Sequence, residues 1–392
     1  MNSYTIVPYD VLFFRNNQSF HFGQWYTEGI FPPYPSTFQG FVRHKILRDN
    51  DMLDARGKLK DVAKAQGLVG DDATFPLDIK GPFPVDLNTH GIFIQTPLDV
   101  LAETKDHASY YSIFPGGKPD DIVQSDLEYE FDCHLLPDEK PANLTPPAFM
   151  GLEDLSNYRV NVDNFHISGA EIISIEQRVG INHDYEKLNE GIRTVQPGKF
   201  YVTPCVRMIN ETGFYCEVDR ELKDGALKLG GESHPVYVEK ATHENRFEET
   251  LKQTREILTE KIIGTKTFRI VLLQPGIFPE GWFPFPYNKS VRKIAARVGN
   301  LDIELVAAAT GAPLKISGYS YAKNEKNTDQ KTVNLKPMVN AMPAGSVYMF
   351  RIVGTSSKQD VEKFVGDFDN RKIPYENYSK MGFNHIIIAC GR

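Results

Sequence analysis

Three prolines within four positions, Pro32, Pro33 and Pro35, stand directly before an apolar run with helical spacing. Proline fixes φ and removes a backbone donor, and it pushes the preceding residue out of the α region. The chain must therefore enter its first helix from a stiff, extended loop. In FPPYPSTFQGFVRHKIL, Ser36 and Thr37 are the expected N-caps. Phe38, Phe41, Val42 and Ile46 then form an apolar stripe, flanked by Arg43, His44 and Lys45. Upstream, SYTIVPYDVLFF presses β-branched and aromatic residues together and predicts the first strand.

The remaining elements follow from periodicity and punctuation. Residues 51–170 read as irregular, Asp-rich and Pro-rich, with loops at PGGKPDD and PDEKPANLTPP. AEIISIEQRVGINHD and IRTVQPGKFYVTPCVRMI predict two strands around the polar EKLNEG, a hairpin. CEVDRELKDGALKL predicts a short helix through Leu222, Ala226 and Leu229, stopped by Gly230 and Gly231, with HPVYVEK as the next strand. THENRFEETLKQTREILTEKI reads as a charged linker helix. KTFRIVLLQPGIF, LKISGYSY, VYMFRIVG and NHIIIACG predict strands. KSVRKIAARVG and the serine-capped SSKQDVEKFVGDF predict helices.

Strand, helix, two strands, helix, strand thus occurs twice, the order of the ferredoxin-like unit. The expected fold is α+β: two ferredoxin-like (RRM-like) βαββαβ domains at 1–242 and 262–392, joined by a linker helix at 243–261. The first domain carries long insertions and a β-hairpin, which the family resemblance given below implies is a protruding thumb. At 392 residues, two domains are the natural expectation.

Charge and motif content narrow the function. The formal net charge of -7 argues against a stand-alone nucleic-acid binder, whose affinity comes largely from phosphate neutralisation. A local basic groove, or an RNA shared with other subunits, remains compatible with it. Cys133, Cys205, Cys216 and Cys390 form no C-x-x-C pair and no zinc spacing, the pattern of free thiols in the cytoplasm. The N-terminus has no export signal, and no segment has the composition of a membrane span. There is no P-loop, dinucleotide fingerprint, H-E-x-x-H or nucleophile elbow. Asp71–Asp72 and Asp120–Asp121 read as solvated loop charge, so no catalytic residue, metal or cofactor is expected.

Two local features carry binding chemistry. In LGGES, glycine permits backbone amides to approach a phosphate or a base closely, although two glycines also make a plain helix stop. In FPPYPSTFQGFVR, a helix N-terminus offers donors to a phosphate, with Arg43 nearby. The series LFFR, FPPYPSTFQGFVR, RVGINHDYEKLNEGIRTV, LGGES, MPAGSVYMF and a terminal GF before an apolar strand resembles one subunit family in its order and spacing. It is the RAMP subunit beside the large polymerase-type subunit in the Cmr effector complex of type III-B CRISPR systems.

The resemblance implies a cytoplasmic, non-catalytic RNA-binding scaffold. Such a subunit holds the 5′ tag of the guide RNA and docks the large polymerase-type subunit and neighbouring backbone RAMP subunits. It implies RNA-binding roles for Arg15, Ser36, Thr37, Gly40, Arg43, Arg178, Val179, Gly180, Asn182, Arg193, Gly230, Gly231, Glu232 and Ser233. Lys45 joins the expected groove, and Lys289, Arg292, Lys293 and Arg297 a second basic patch. Phe13, Phe14, Phe20, Phe22, Trp25 and Phe31 are expected in the core or at subunit contacts. The sequence departs from the family at Tyr34, where a small residue is common, and at Asn384–His385, where a further glycine is common. Glu232 also departs, because its carboxylate would repel a phosphate. The alternative is a RAMP-fold endoribonuclease with His21 or His44 as general base, and a third reading is a protein-only adaptor.

Overall fold

A computed structural model describes residues 1–15, 29–70, 77–102, 109–112, 147–163, 165–169, 171–183, 195–243, 246–288, 293–323 and 331–392. Phe20, His21, Phe22, Trp25, the two aspartate doublets, Cys133, Arg193, Lys289, Arg292 and the end of the hairpin at 184–194 lie outside these residues. The chain divides into two compact units, one of residues 1–76, 82–90 and 171–242, the other of 77–81, 91–170 and 243–392. Residues 91–170 therefore belong with the C-terminal segment, and they are not all irregular: they include a helix at Leu152–Val160 and several short strands.

In the first unit, strand β1 is Asn2–Pro8 and helix α1 is Pro35–Asp49. Strand β2 is Ile79–Asp86, of which residues 82–86 belong to this unit. Strands β3 (Ile173–His183) and β4 (Val195–Met208) form a two-stranded hairpin of their own. Strands β5 (Thr212–Val218), β6 (Gly225–Leu229) and β7 (His234–Lys240) complete the sheet, in the order β6-β7-β1-β5-β2. The helix expected over 216–229 does not form. Leu227 and Leu229 are buried while Ala226 and Lys228 are exposed, a period of two that suits a strand at the sheet edge.

The core of this unit gathers around Phe214 of β5. Its ring meets Phe38 at 5.3 Å, Phe31 at 5.9 Å and Phe14 at 6.1 Å. Those partners come from α1, the proline loop and the LFFR segment, so one aromatic cluster ties all three to the sheet. The first strand is shorter than the sequence suggests. It ends at Pro8, and after a bend Val11–Phe14 forms separate contacts. Leu12 exchanges both backbone hydrogen bonds with Val206 of β4, each 2.7 Å.

In the second unit, helix α2 is Leu152–Val160. Residues 243–261 hold most of two helices, α3 (Arg246–Gln253) and α4 (Arg255–Thr265). Phe247, Leu251 and Leu258 are buried there, so the segment is part of the unit's core and not a bare linker. Strands β8 (Thr267–Leu272), β9 (Ala295–Val298), β10 (Leu301–Ala309), β11 (Val347–Val353) and β12 (His385–Cys390) follow. They pair in the order β9-β10-β11-β8-β12, with Arg371–Lys372 on the far edge. The basic helix expected over KSVRKIAARVG is instead strand at Ala295–Val298, again with alternating burial. Helix α5 (Lys358–Phe368) begins at Ser357 with a full capping box to Asp360, as its sequence predicts.

Two details explain sequence features of this unit. The PAGS turn before β11 places Gly345 at φ +83°, where an added Cβ would meet the Thr96 carbonyl oxygen at 2.9 Å. Asn384, just before the last strand, adopts φ 63°. Its buried side chain accepts from Ile277 N at 2.7 Å and donates to Ile277 O at 2.9 Å and Ile373 O at 3.0 Å. Asparagine tolerates the left-handed region better than most side chains, and here its amide ties two further segments to the last strand.

Candidate nucleic-acid interface

The structure brings three of the expected segments together around one cleft of about 470 Å³ in the first unit. Helix α1 contributes Thr37, Gly40, Phe41 and His44. These sit at i, i+3, i+4 and i+7, one face of a helix. The LFFR segment contributes Phe14 and Arg15, and β6 with its following turn contributes Lys228, Leu229, Gly230, Gly231 and Ser233.

The backbone geometry of the wall is set by the LFFR segment. The Phe13 carbonyl accepts from Gly231 N at 2.8 Å, and the Phe14 carbonyl accepts from Ile30 N at 2.8 Å. Gly230 has φ 75° and ψ -171°, a conformation closed to other residues. A Cβ there would meet the Phe13 carbonyl oxygen at 2.5 Å, so only glycine lets the turn pack on this segment. Glu232 and Ser233 follow at φ 59° each.

The donors facing the cleft differ in kind from those the sequence suggests. Ser36 and Thr37 are not N-caps. Pro35 opens the helix with Tyr34 at the N-cap position, which makes no side-chain cap. Thr37 N–H is bonded to Tyr34 O at 2.9 Å, and Gly231 N–H to Phe13 O. The backbone amides at these two positions are therefore occupied, and the polar lining is made of side chains. Arg15, Lys228, Ser233 and His44 are exposed and Thr37 half-buried. Among the described residues no carboxylate lines the cleft: Glu232 is exposed but is not part of its wall. Partial desolvation by its neighbours, followed by the charge of Arg48, holds the His44 imidazole below its usual pKa, which favours the neutral form.

Several expected residues lie elsewhere. Ser36 sits in the first turn of α1 outside the cleft wall. Arg43 is on the flank of α1, its guanidinium against the carboxamide of buried Gln39. Lys45 is 3% exposed and ion-paired with Asp49 across one helical turn, so it is not a groove residue. The hairpin carries Arg178, Val179, Gly180 and Asn182 on β3. Val179 is exposed, and Gly180 lies opposite Tyr201, whose ring fills the space a Cβ would take.

Arg178 and Arg207 form a closed, charge-neutral network at the base of the hairpin. Arg178 bonds Asp10 and Glu176, each at 2.9 Å, and Arg207 bonds Asp10 at 3.1 Å and Glu176 at 2.6 Å. The Asp10 carboxyl is held below its usual pKa by the Val11 amide and Arg178, and that of Glu176 by Arg207 and Arg178.

Sequence reasoning missed Lys228, which it assigned to a helix, gave Phe14 a core or subunit-contact role, and placed Phe41 only in the apolar stripe of its helix. The i, i+3, i+4, i+7 set of α1, Thr37, Gly40, Phe41 and His44, was available as a signal through its spacing on one helix face.

Among the described residues no helix is long and apolar enough to cross a membrane, and no cluster of His, Cys, Asp or Glu is placed to hold a metal. None of the curated proteins compared matches the sequence. Solved structures similar to the chain include two cryo-EM structures of the Type III-B Cmr-beta bound to cognate target RNA, the second also with AMPPnP. The first matches at 14% identity and TM-score 0.48 over 98% of this chain and 96% of that chain. The second matches at 13% identity and TM-score 0.45 over 88% and 86%. A crystal structure of the Csm3-Csm4 subcomplex of a type III-A CRISPR-Cas interference complex matches at 11% identity and TM-score 0.31, over 91% and 95%. The family profile described as CRISPR-associated protein (Cas_Cmr3) matches residues 4–390. Matched almost end to end, the chain belongs to the family of the CRISPR-associated protein Cas_Cmr3.

Proposed function

We propose that this subunit is a non-catalytic RNA-binding scaffold. It holds the 5′ tag of the guide RNA and docks the large polymerase-type subunit and the neighbouring RAMP subunits. The observation that carries the reading is the cleft, where Arg15, Thr37, Lys228 and Ser233 converge from three separate segments with no carboxylate among the described residues of the wall. A cationic, donor-rich cleft in a chain of net charge -7 is the local basic groove that an RNA-sharing subunit requires.

The two sheets support a ferredoxin-like reading of both units. In the first, β7-β1-β5-β2 follows the spatial order of that unit, with α1 crossing from β1 to β2 and β6 appended at the edge. In the second, β10-β11-β8-β12 follows it, with α5 between β11 and β12. Each unit has one crossover helix on its sheet, where the full motif has two.

The test is to tag the chain, express it with its genomic neighbours, and sequence the RNA that co-purifies. Guide RNAs with a shared 5′ end, cross-linked to the 37–44 or 228–233 segments, are expected. Recovery of partner subunits with no RNA cross-link to this chain would reduce it to a protein adaptor.

One observation favours a second reading, an endoribonuclease: a neutral His44 in the cleft has the protonation state of a general base. Metal-free incubation with repeat RNA separates the two. Specific cleavage lost in His44→Ala would establish the enzyme, and intact RNA the scaffold.

A further inference from the structure

We propose that Asp10 is a positioning residue for the hairpin. Its carboxylate closes an ion-pair ring that fixes how β3 and β4 stand on the sheet. Arg178 and Arg207 work inside that ring and not on an RNA phosphate. The inference rests on the RNA-binding reading above, with the hairpin reaching the same RNA as the cleft, and it names the residues that set the hairpin's pose.

The membership of the ring comes first. Side chains two apart on a strand share a face, so Glu176 and Arg178 lie together on β3. Arg207 of β4 stands opposite Ser174, on that same face and one diagonal step from Glu176, within reach of a long side chain. Glu176 accepts from Arg178 Nε at 2.9 Å and from Arg207 Nε at 2.8 Å. Two guanidiniums against one carboxylate leave a positive charge over. Asp10, from outside the hairpin, cancels it. Its carboxylate accepts from Arg178 Nη2 at 2.9 Å and from Arg207 Nη2 at 3.1 Å. Nε and Nη2 of both arginines are thus bonded to carboxylates, and a phosphate arriving there would have to displace one of them.

Asp10 is also pinned by the sheet. It follows the end of β1 by two residues. On one side of it, Tyr9 N–H donates to Pro235 O of β7 at 3.2 Å. On the other, Leu12 exchanges both backbone bonds with Val206. The carboxylate is therefore a fixed post. A single contact to a post is a pivot, whereas two contacts from different strands define an orientation.

The faces of the hairpin point the same way. Ile175 and Val179, on the other face of β3, are 58% and 62% exposed, while the charged face turns to Asp10. Apolar burial alone favours the reverse. Burial of these two residues does not set the pose, and the charges do. All four ring side chains are 37–42% exposed, so salt reaches them.

The experiment compares the full wild-type chain with Asp10→Asn, Arg178→Gln and the double variant. Hydrogen exchange of peptides over 171–180 and 201–208 reports the hairpin. A fluorescein-labelled single-stranded RNA carrying a guide 5′ end reports binding, and the urea midpoint reports the fold. The midpoint should stay that of wild type in all three variants, because the opening is local. Each single variant should speed hairpin exchange roughly threefold, the scale of exposed ion pairs, and weaken RNA binding by a similar factor. The double variant should be no worse than either single one, since both break one ring. Raising salt from about 0.1 M to about 1 M shortens the screening length from roughly 10 Å to roughly 3 Å. It should speed exchange in wild type and leave the double variant unchanged. The slope of log affinity against log salt should be the same in Arg178→Gln as in wild type.

The sign of Asp10→Asn separates the readings. If Asp10 only competes for a phosphate seat, its removal tightens RNA binding, while Arg178→Gln weakens it and lowers the salt slope by about one phosphate. That pair of results overturns the inference and leaves the RNA-binding reading standing. Wild-type exchange in Asp10→Asn, or faster exchange with unchanged RNA affinity, does the same. If the wild-type chain binds no RNA, the RNA-binding reading fails and the inference falls with it.

Discussion

Gly230→Ala should unfold the first unit far more readily than either of its natural comparisons, Gly231→Ala and Gly40→Ala. At Gly230 the backbone lies at φ 75° and ψ -171°, which costs a residue with a Cβ about 2 kcal/mol. The new methyl would also stand 2.5 Å from the Phe13 carbonyl oxygen. That oxygen cannot retreat without lengthening its 2.8 Å bond from Gly231 N–H, so overpacking adds about 2 kcal/mol. The sum, about 4 kcal/mol, is close to a thousandfold in the unfolding equilibrium. Gly231 has no positive φ, and its Cβ would meet only the edge of the Phe13 ring at 2.9 Å. A ring can tilt, so the cost falls to about 1 kcal/mol. Gly40 meets nothing and should gain about 1 kcal/mol as alanine in a helix. Urea unfolding of the three full-length variants, read as midpoint shifts at constant slope, gives the order directly. A Gly230→Ala cost within about 1 kcal/mol of that for Gly231→Ala would refute the argument from backbone conformation, and a destabilised Gly40→Ala would refute the empty space above the helix.

Two further outcomes test the second unit. His385 is fully buried, and burial with Lys80 and Lys372 nearby holds its imidazole well below the usual pKa. The unfolded chain takes up this proton near pH 6.5 and the folded chain does not. Stability should therefore fall as pH drops below about 6.5, by up to about 1.4 kcal/mol per unit from this group. His44 and His234 act in the same direction, so the pH slope should become shallower, not flat, in His385→Gln; an unchanged slope would refute the assignment. Arg159 and Asp369 form a fully buried ion pair at 2.7 Å. Asp369→Asn alone should cost about 4 kcal/mol by leaving Arg159 uncompensated, and Asp369→Leu with Arg159→Met much less; equal costs by chemical denaturation would refute the mechanism.

The sequence made the entry to α1 legible because proline chemistry is local: Pro35 at the first helical position and the Phe38–Ile46 stripe need no tertiary information. Serine and threonine after a proline misled, since Pro35 itself opens the helix and moves the cap to Tyr34. The segment around Lys228 was illegible for a different reason. Leu222, Ala226 and Leu229 fit a helical period while Leu227 and Leu229 fit a strand, and five residues are too few to choose between them. The sheet edge beside β7 decided it. Lys45 could have been withdrawn from the groove on sequence grounds, because Asp49 lies four residues on. The roles of the two glycines of LGGES were half legible. That glycine there permits a close approach was readable, but what approaches is Phe13 and Phe14 of the chain itself, where the reading had a phosphate or a base.

The LFFR segment joins its neighbours through main-chain atoms. Leu12 bonds Val206, Phe13 bonds Gly231, and Phe14 bonds Ile30, all through N–H and C=O. Any residue except proline carries both groups. The alignment of hairpin, proline loop and cleft wall is thus written in a code that nearly every amino acid spells alike. Side chains along this segment are free to drift within the limits of core packing, while the positions where Cβ is forbidden or a donor is required are not. Divergence here should accumulate in the letters of the segment and spare its grammar.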